Sequence, residues 1–248
     1  MSPTLNVHLL PALTSPEALR DATVVVIDVL RATTTITHAL AAGAEAVIPC
    51  GDIDRARELA AQLPGDSVCL GGERQGVKIE GFDLGNSPAE YSAEIVAGKT
   101  VVFTTTNGTQ AMEFCREATR VFIGAFVNLA ATCALLREAS DVHLLCSGTQ
   151  KKVTREDVLL AGALAGELEG NENTSWTMND QARLAVNAWH DVESRLDQIS
   201  LAQQLRDSQG GRNVTALGLK ADIDAAAELD QFDLVGELDL NSWQIRSA

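Results

Sequence analysis

The chain has 248 residues, 46% apolar and 21% charged, a balance that supports a sizeable core in one large α/β domain or two small lobes. Its formal net charge of −15 argues against nucleic acid or an anionic membrane as partner, because both need a basic footprint. No long apolar run suggests a membrane span, the start MSPTLNVHLL has no charged leader, and five cysteines without CxxC spacing indicate neither a zinc ribbon nor a disulfide framework. A cytoplasmic protein is the expectation.

In chain order, residues 5–10 alternate weakly and read as a first strand. Residues 24–27, Val-Val-Val-Ile, form an unbroken β-branched run, the signature of a strand buried on both faces of a parallel sheet. The run stops at Asp28, with Arg31 three residues on. Thr33, Thr34 and Thr35 then lead into a helix at 36–42 that Gly43 closes. A short strand at 46–50, a helix at 53–63 broken by Pro64-Gly65, and a strand at 67–70 follow. Strands alternating with helices imply right-handed crossovers and a largely parallel sheet.

Residues 71–88 hold five glycines and a proline without lasting periodicity, and Glu73, Arg74, Asn86 and Ser87 stand at the ends of this loop. That composition favours a binding loop, and Pro88 begins a helix to about residue 97 with Ser87 as its cap. Residues 100–103 form another buried strand, ending in Thr104, Thr105, Thr106, Asn107 and Gly108 before a helix to 115. A strand at 121–123 passes to a helix starting near Asn128, and a strand at 142–146 ends in Ser147-Gly148-Thr149. Four strand ends thus deliver small polar groups and glycines, which suits a phosphate or carboxylate site. The competing structural reading is that the threonines cap helices and Asp28 pairs with Arg31.

From Thr154 the chain reads as mainly helical, with Glu156 and Asp157 in a first helical turn. A polar loop is expected at 171–175, helices near 179–189 and 192–207, a turn at 209–212, a last helix at 221–229 and a closing strand at 232–235. The tail from 236 carries no clear signal. Residues 1–150 are therefore expected to form the α/β lobe that carries the strand-end sites. Residues 151–248 would form a helical second lobe packed on it.

Several chemistries are disfavoured. No GxGxxG and no GK[ST] occurs, so standard nucleotide loops are absent. A haloacid-dehalogenase-type phosphatase needs a second aspartate two residues after the first, where this chain has Leu30. Cys50 and Cys69 each meet an arginine one position too early for a cysteine phosphatase. His38 and His190 read as packed or surface histidines.

The motifs together resemble the 2-phosphosulfolactate phosphatase family, magnesium-dependent phosphatases of coenzyme M biosynthesis. The resemblance rests on VIDVLRATTT at 26–35, GGERQGVKIEGFDLGNSP at 71–88, TTTNGT at 104–109 and IGAFVN at 123–128. EDVLLAG at 156–162, ND at 179–180 and GGR…LGLKADI at 210–223 continue it through nearly the whole chain. It implies a three-layer α/β/α fold with a mixed, mostly parallel sheet. The implied activity is hydrolysis of 2-phospho-3-sulfolactate to 3-sulfolactate and phosphate. A phosphatase for another small phosphorylated hydroxy acid, or a small-anion binder without catalysis, is the alternative.

Such a substrate is a small polyanion, so an acidic protein must concentrate positive charge at the site, and Mg²⁺ held by carboxylates does so. The expected metal ligands are Asp28, Glu73 and Asp157, with Asp180 in reserve. Asp28, Arg31, Glu73 and Arg74 are expected to be catalytic. Thr33, Thr34, Thr35, Asn86, Ser87, Thr105, Thr106, Asn107, Gly108, Asn128 and Arg212 are expected to bind substrate, with the Arg212 guanidinium as a candidate for the sulfonate. Lys151 and Lys152 read as a solvated edge, and a homo-oligomeric state is left open.

Overall fold

The computed structural model describes residues 2–170 and 174–248, so the polar loop expected at 171–175 lies mostly outside the described residues. In chain order the strands are β1 Thr4–His8, β2 Thr23–Ile27, β3 Ala46–Pro49, β4 Val68–Arg74, β5 Val77–Lys78, β6 Thr100–Thr104, β7 Arg120–Gly124, β8 Asp141–Cys146, β9 Thr177–Met178, β10 Gly236–Asp239 and β11 Gln244–Ser247. The helices are α1 Ala32–Ala41, α2 Ile53–Ala61, α3 Ala93–Val96, α4 Gly108–Phe114, α5 Leu129–Leu136, α6 Arg155–Glu169, α7 Asp180–Glu193, α8 Leu201–Arg206, α9 Gln209–Ala216 and α10 Lys220–Ala226.

The strands form one mixed, mostly parallel sheet in the order β5-β4-β6-β3-β11-β10-β7-β2-β8-β1-β9. β2 lies parallel between β7 and β8, and β6 parallel between β3 and β4. The antiparallel hairpin β10–β11 joins these two parallel groups, β10 on β7 and β11 on β3.

Helices cover both faces, as a three-layer α/β fold requires, and the valine run of β2 shows why. Val25 and Ile27 belong to a core shared with α5, α6 and α7, whereas Val24 and Val26 face α1 and α4. With side chains alternating across the strand, two apolar layers need an apolar residue at every position. Val47 of β3, Val101 and Phe103 of β6 and Cys69 of β4 belong to the same cluster as α1 and α4. Both parallel groups therefore present one face to the same two helices, which draws their carboxyl ends together.

Residues beyond 150 share this architecture. α6 and α7 pack into one core with β1, β2 and β8, and β10 and β11 occupy the middle of the sheet. The expected closing strand at 232–235 is displaced into the tail, at β10 and β11. The expected helix at 88–97 is a single 3₁₀ turn, Pro88–Glu90, followed by the short α3. Gln209-Gly-Gly-Arg212 is the start of α9 rather than a turn, because the Ser208 hydroxyl accepts from the Gly211 amide and caps it.

Candidate active site

The carboxyl ends of β2, β4, β6 and β8 meet beside α6, α9 and α10, and each contributes polar groups for a local reason. After Ile27 the chain turns directly into α1. The Asp28 amide donates to Thr33 Oγ1 (3.1 Å) and the Ala32 amide to Asp28 Oδ1 (3.4 Å), closing the turn. That leaves Oδ2 facing the start of α4, where a Cβ added at Gly108 would lie 2.9 Å from it and 2.7 Å from Ala32 Cβ. No larger residue fits at 108 while Asp28 holds this position.

Glu73, near the end of β4, stitches two loops together. Its Oε1 accepts from the Thr106 amide (2.8 Å) and its Oε2 from the Gly76 amide (2.5 Å). Arg31 continues the chain of contacts, donating to Gly76 O (2.9 Å) and forming a buried ion pair with Asp222 of α10 at 2.7 Å. The other Asp222 oxygen accepts from Ser87 Oγ at 2.6 Å. Arg74 donates to Glu73 O, Gly51 O and Thr104 Oγ1. Both arginines keep N–H donors beyond these bonds.

On the β8 side, Asp157 ties the sheet to α6. Its Oδ1 accepts from the Val29 amide (2.9 Å), and its Oδ2 accepts from the Gly148 amide (3.0 Å) and from Thr154 Oγ1 (3.1 Å). Glu156, one residue earlier, is 1% exposed, and its Oε2 has no hydrogen-bond partner.

These carboxylates lie in a poorly solvated place with few cations to balance them. Burial pushes the Asp28 carboxyl up to about 7; the negative charges of Glu73 and Glu156 add to the rise, while the Ala32 amide and Ser147 hydroxyl oppose it. Asp157 is pushed well above the carboxylate range by burial first, then by the charges of Glu156 and Asp28. Burial likewise raises Glu156. Surplus buried negative charge at converging strand ends calls for protons or a cation, and pKa shifts of this kind cluster at functional sites.

The sequence profile described as 2-phosphosulpholactate phosphatase matches residues 8–241, which takes in every loop named above. The chain belongs to the 2-phosphosulfolactate phosphatase family. A relative from Caldanaerobacter subterraneus named "Probable 2-phosphosulfolactate phosphatase" is 38% identical over 221 residues, 89% of each chain. One of the same name from Thermotoga petrophila is 40% identical, covering 87% of this chain and 88% of its own. Another, from Caldicellulosiruptor saccharolyticus, is 46% identical over 59% of this chain and 62% of its own. The family is one of phosphoric monoester hydrolases, as the motifs imply.

Against that family, the expected site residues separate into groups. Asp28, Arg31, Glu73, Arg74, Ser87, Thr106, Asn107 and Gly108 come together on the loops described. Asn86 joins them: it is buried and its Oδ1 lacks a partner, as does Thr106 Oγ1. Thr33, Thr34 and Thr35 require a correction. They lie inside the first turn of α1 rather than before it, and all three are fully buried. Thr33 Oγ1 receives the Asp28 amide, Thr34 donates to Val29 O and Thr35 to Asn86 O, so these hydroxyls brace loops. Thr105 does similar work, its Oγ1 accepting from the Thr109 amide.

Asn128 is also a brace. It accepts from the Ala125 amide and donates to Ile123 O and Leu234 O, which fills its side chain. Arg212 is exposed and held by Asp207 O at the end of α8 and by Gln209 Oε1 of its own helix, in a separate groove with Arg206, Thr215 and Lys220. Gly210 faces Glu156, and Arg212, two helical positions on, faces away. Asp180 is exposed in the first turn of α7, where Asn179 caps the helix and grips β1 through Val7. Asp222 carries no signal in the sequence beyond its place in the last helix, and Glu156 reads there only as a first-turn acid. The mating of each to an element far along the chain was the missing signal.

No helix among the described residues is long and apolar enough to cross a membrane.

Proposed function

We propose that this chain hydrolyses 2-phospho-3-sulfolactate to 3-sulfolactate and phosphate with Mg²⁺, the reaction type of coenzyme M biosynthesis. The observation that carries the reading is Asp28: a buried carboxylate, raised first by burial and then by the charges of Glu73 and Glu156, at the meeting point of four strand ends. Family membership supplies the reaction class.

The donor set fits a hard divalent cation. Asp28 Oδ1 takes only the Ala32 amide, and each Glu73 oxygen accepts a single amide, so both carboxylates retain lone pairs. Asp157 fits less well than expected, since its oxygens are taken up by amides and a hydroxyl. No three His, Cys, Asp or Glu side chains stand together as a ready cation cage among the described residues. Mg²⁺ does not need one, because it keeps several waters and is commonly held by one or two carboxylates plus phosphate oxygens. When bound, Mg²⁺ supplies positive charge against the phosphoryl oxygens.

The residues of the chain do the rest. Asp28 orients the attacking water from the β2 end. Arg31 and Arg74, fixed by Asp222 and by Gly51 and Thr104, direct their remaining N–H groups at phosphate and carboxylate oxygens. Thr106 Oγ1 and Asn86 Oδ1, both buried and without a partner, offer neutral hydrogen bonds. The placement of Arg212 in another groove favours a second reading, a broader phosphatase for small phosphorylated hydroxy acids.

The test is phosphate release from 2-phospho-3-sulfolactate, from 2-phospholactate and from a generic phosphomonoester, each with Mg²⁺ and with EDTA. Mg²⁺-dependent release, fastest on the sulfonate, supports the first reading. Equal rates on the sulfonate and on 2-phospholactate support the second, and no release from any ester refutes both.

A further inference from the structure

We infer that Trp243, in the turn of the β10–β11 hairpin, is a positioning residue for Arg74: its indole fixes the loop that leaves β3, and the Gly51 carbonyl of that loop aims the guanidinium. The inference rests on the phosphatase reading above, in which Arg74 faces substrate. Trp243 lies beyond residues 8–241, the stretch that matches the family, so the family likeness gives it no role.

The contacts form a continuous path. β3 lies between β6 and β11, and its end is held differently on the two sides. Toward β6, the Cys50 amide donates to Phe103 O at 2.8 Å. The preceding carbonyl, Pro49 O, points the other way, toward β11, as successive peptide groups of a strand do. Main-chain pairing of β11 with β3 is registered only at Ile245 and Val47, two residues before Pro49. The Trp243 indole meets Pro49 O instead, its Nε1 donating at 2.9 Å. Two residues on, Gly51 O accepts from Arg74 Nη2 at 3.0 Å, and the same nitrogen donates to Thr104 Oγ1 at 2.8 Å. Arg74 thus reaches from β4 across the end of β6 to the exit of β3. Without Gly51 its side chain keeps only Thr104 and the carbonyl of Glu73.

The hairpin turn is built to keep the indole in place. The Asp239 side chain accepts from the Asn241 and Ser242 amides and from the Ser242 hydroxyl, and the Trp243 amide donates to Asp239 O. Trp243 is left at φ +56°, a left-handed conformation that is rare for a bulky residue. A large ring kept in such a conformation points to a task for the ring. The Arg116 guanidinium covers the indole at 3.8 Å from its centroid and steadies it. Packing alone would be served by phenylalanine or leucine, which carry no donor for Pro49 O.

The test is Trp243→Phe in the full-length protein, alone and combined with Arg74→Ala. This change keeps an aromatic ring under Arg116 and removes the donor. Should the smaller ring not fold, benzothienylalanine at position 243 keeps the bicyclic shape without the N–H and gives the same readouts. Well below the thermal midpoint, kcat/KM is measured on 2-phospho-3-sulfolactate. Nitrogen-15 relaxation gives the order parameters of the Arg74 and Arg31 Nε–H groups, each assigned through its replacement by lysine. Trp243→Phe alone should lower kcat/KM about tenfold, and added to Arg74→Ala it should change the remaining rate by less than about twofold. The Arg74 order parameter should fall from the rigid range to below about 0.6, while Arg31, held by Asp222, stays rigid.

An equal loss of kcat/KM in both backgrounds overturns the inference, because it marks a residue that serves the fold or another group. Mobility gained equally at Arg31 and Arg74 overturns it too, as a general loosening. If the wild type releases no phosphate from the ester, yet Trp243→Phe mobilises Arg74 alone, the positioning stands and the phosphatase reading falls. If the wild type hydrolyses the ester and Trp243→Phe keeps both its rate and a rigid Arg74, the inference falls and the phosphatase reading stands.

Discussion

Asp28 is costly to the metal-free fold, and its replacement by asparagine gives a measurable consequence. Its carboxyl moves from an ordinary 3.8 to about 7 in the folded chain, chiefly through burial, so between those values the folded protein binds more protons than the unfolded one. Stability is therefore highest below pH 4 with respect to this group and is lost as pH rises through 7. At about 1.4 kcal/mol for each tenfold change in proton affinity, the full cost of ionising Asp28 is about 4 kcal/mol at pH 8 and above. Asparagine keeps the carbonyl oxygen that accepts the Ala32 amide and removes the charge. In EDTA, Asp28→Asn should be more stable than wild type by up to about 4 kcal/mol at pH 8. More than half of that gain should vanish by pH 5. Urea unfolding at the two pH values measures it, and turnover of the same variant should fall by at least two orders of magnitude. An advantage that does not change with pH, or a variant less stable at pH 8, would refute the account of Asp28 as an uncompensated buried acid.

Three further outcomes follow from the same contacts. Asp222→Ala leaves Arg31 buried without its ion-pair partner and frees Ser87, so it should cost about 3–5 kcal/mol in urea unfolding, and a loss under 1 kcal/mol would show that the pair is not structural. Thr34→Val removes a donor to Val29 O inside α1 and should cost about 1–3 kcal/mol while leaving KM for the phosphoester within twofold; a tenfold rise in KM would return this threonine to the substrate site. Arg212→Ala should leave kcat/KM within threefold on both sulfonated and plain phosphoesters, and a selective loss on the sulfonated one would place Arg212 at the substrate after all.

What was legible in the sequence was the part governed by short-range pattern. The valine run of β2 and the apolar strands β6 and β8 declare burial on both faces, and the polar residues after them mark the end of the sheet where the site lies. The β10–β11 hairpin was not legible. Gly-Glu-Leu-Asp and Gln-Ile-Arg-Ser each turn only one large apolar residue inward, and their pairing depends on Ile123 and Val47, more than a hundred residues away. The two threonine triplets look alike on paper but differ in depth. The first begins one residue inside α1 and is consumed by backbone carbonyls and an amide, whereas the second straddles the strand end and leaves the Thr106 hydroxyl unmet. Glu156 and Asp157 are likewise indistinguishable as adjacent first-turn acids. Only the fold separates them: Asp157 receives the Val29 and Gly148 amides and the Thr154 hydroxyl, whereas Glu156 faces Gly210 and keeps Oε2 without a partner.

The most direct measurement is the rate of phosphate release from 2-phospho-3-sulfolactate by wild type and by Asp28→Asn across a Mg²⁺ titration. The wild-type rate should rise from baseline to saturation with Mg²⁺, and the folded Asp28→Asn protein should stay near baseline at every concentration. Turnover by the folded variant comparable with wild type, or a wild-type rate indifferent to Mg²⁺, would contradict the central assignment.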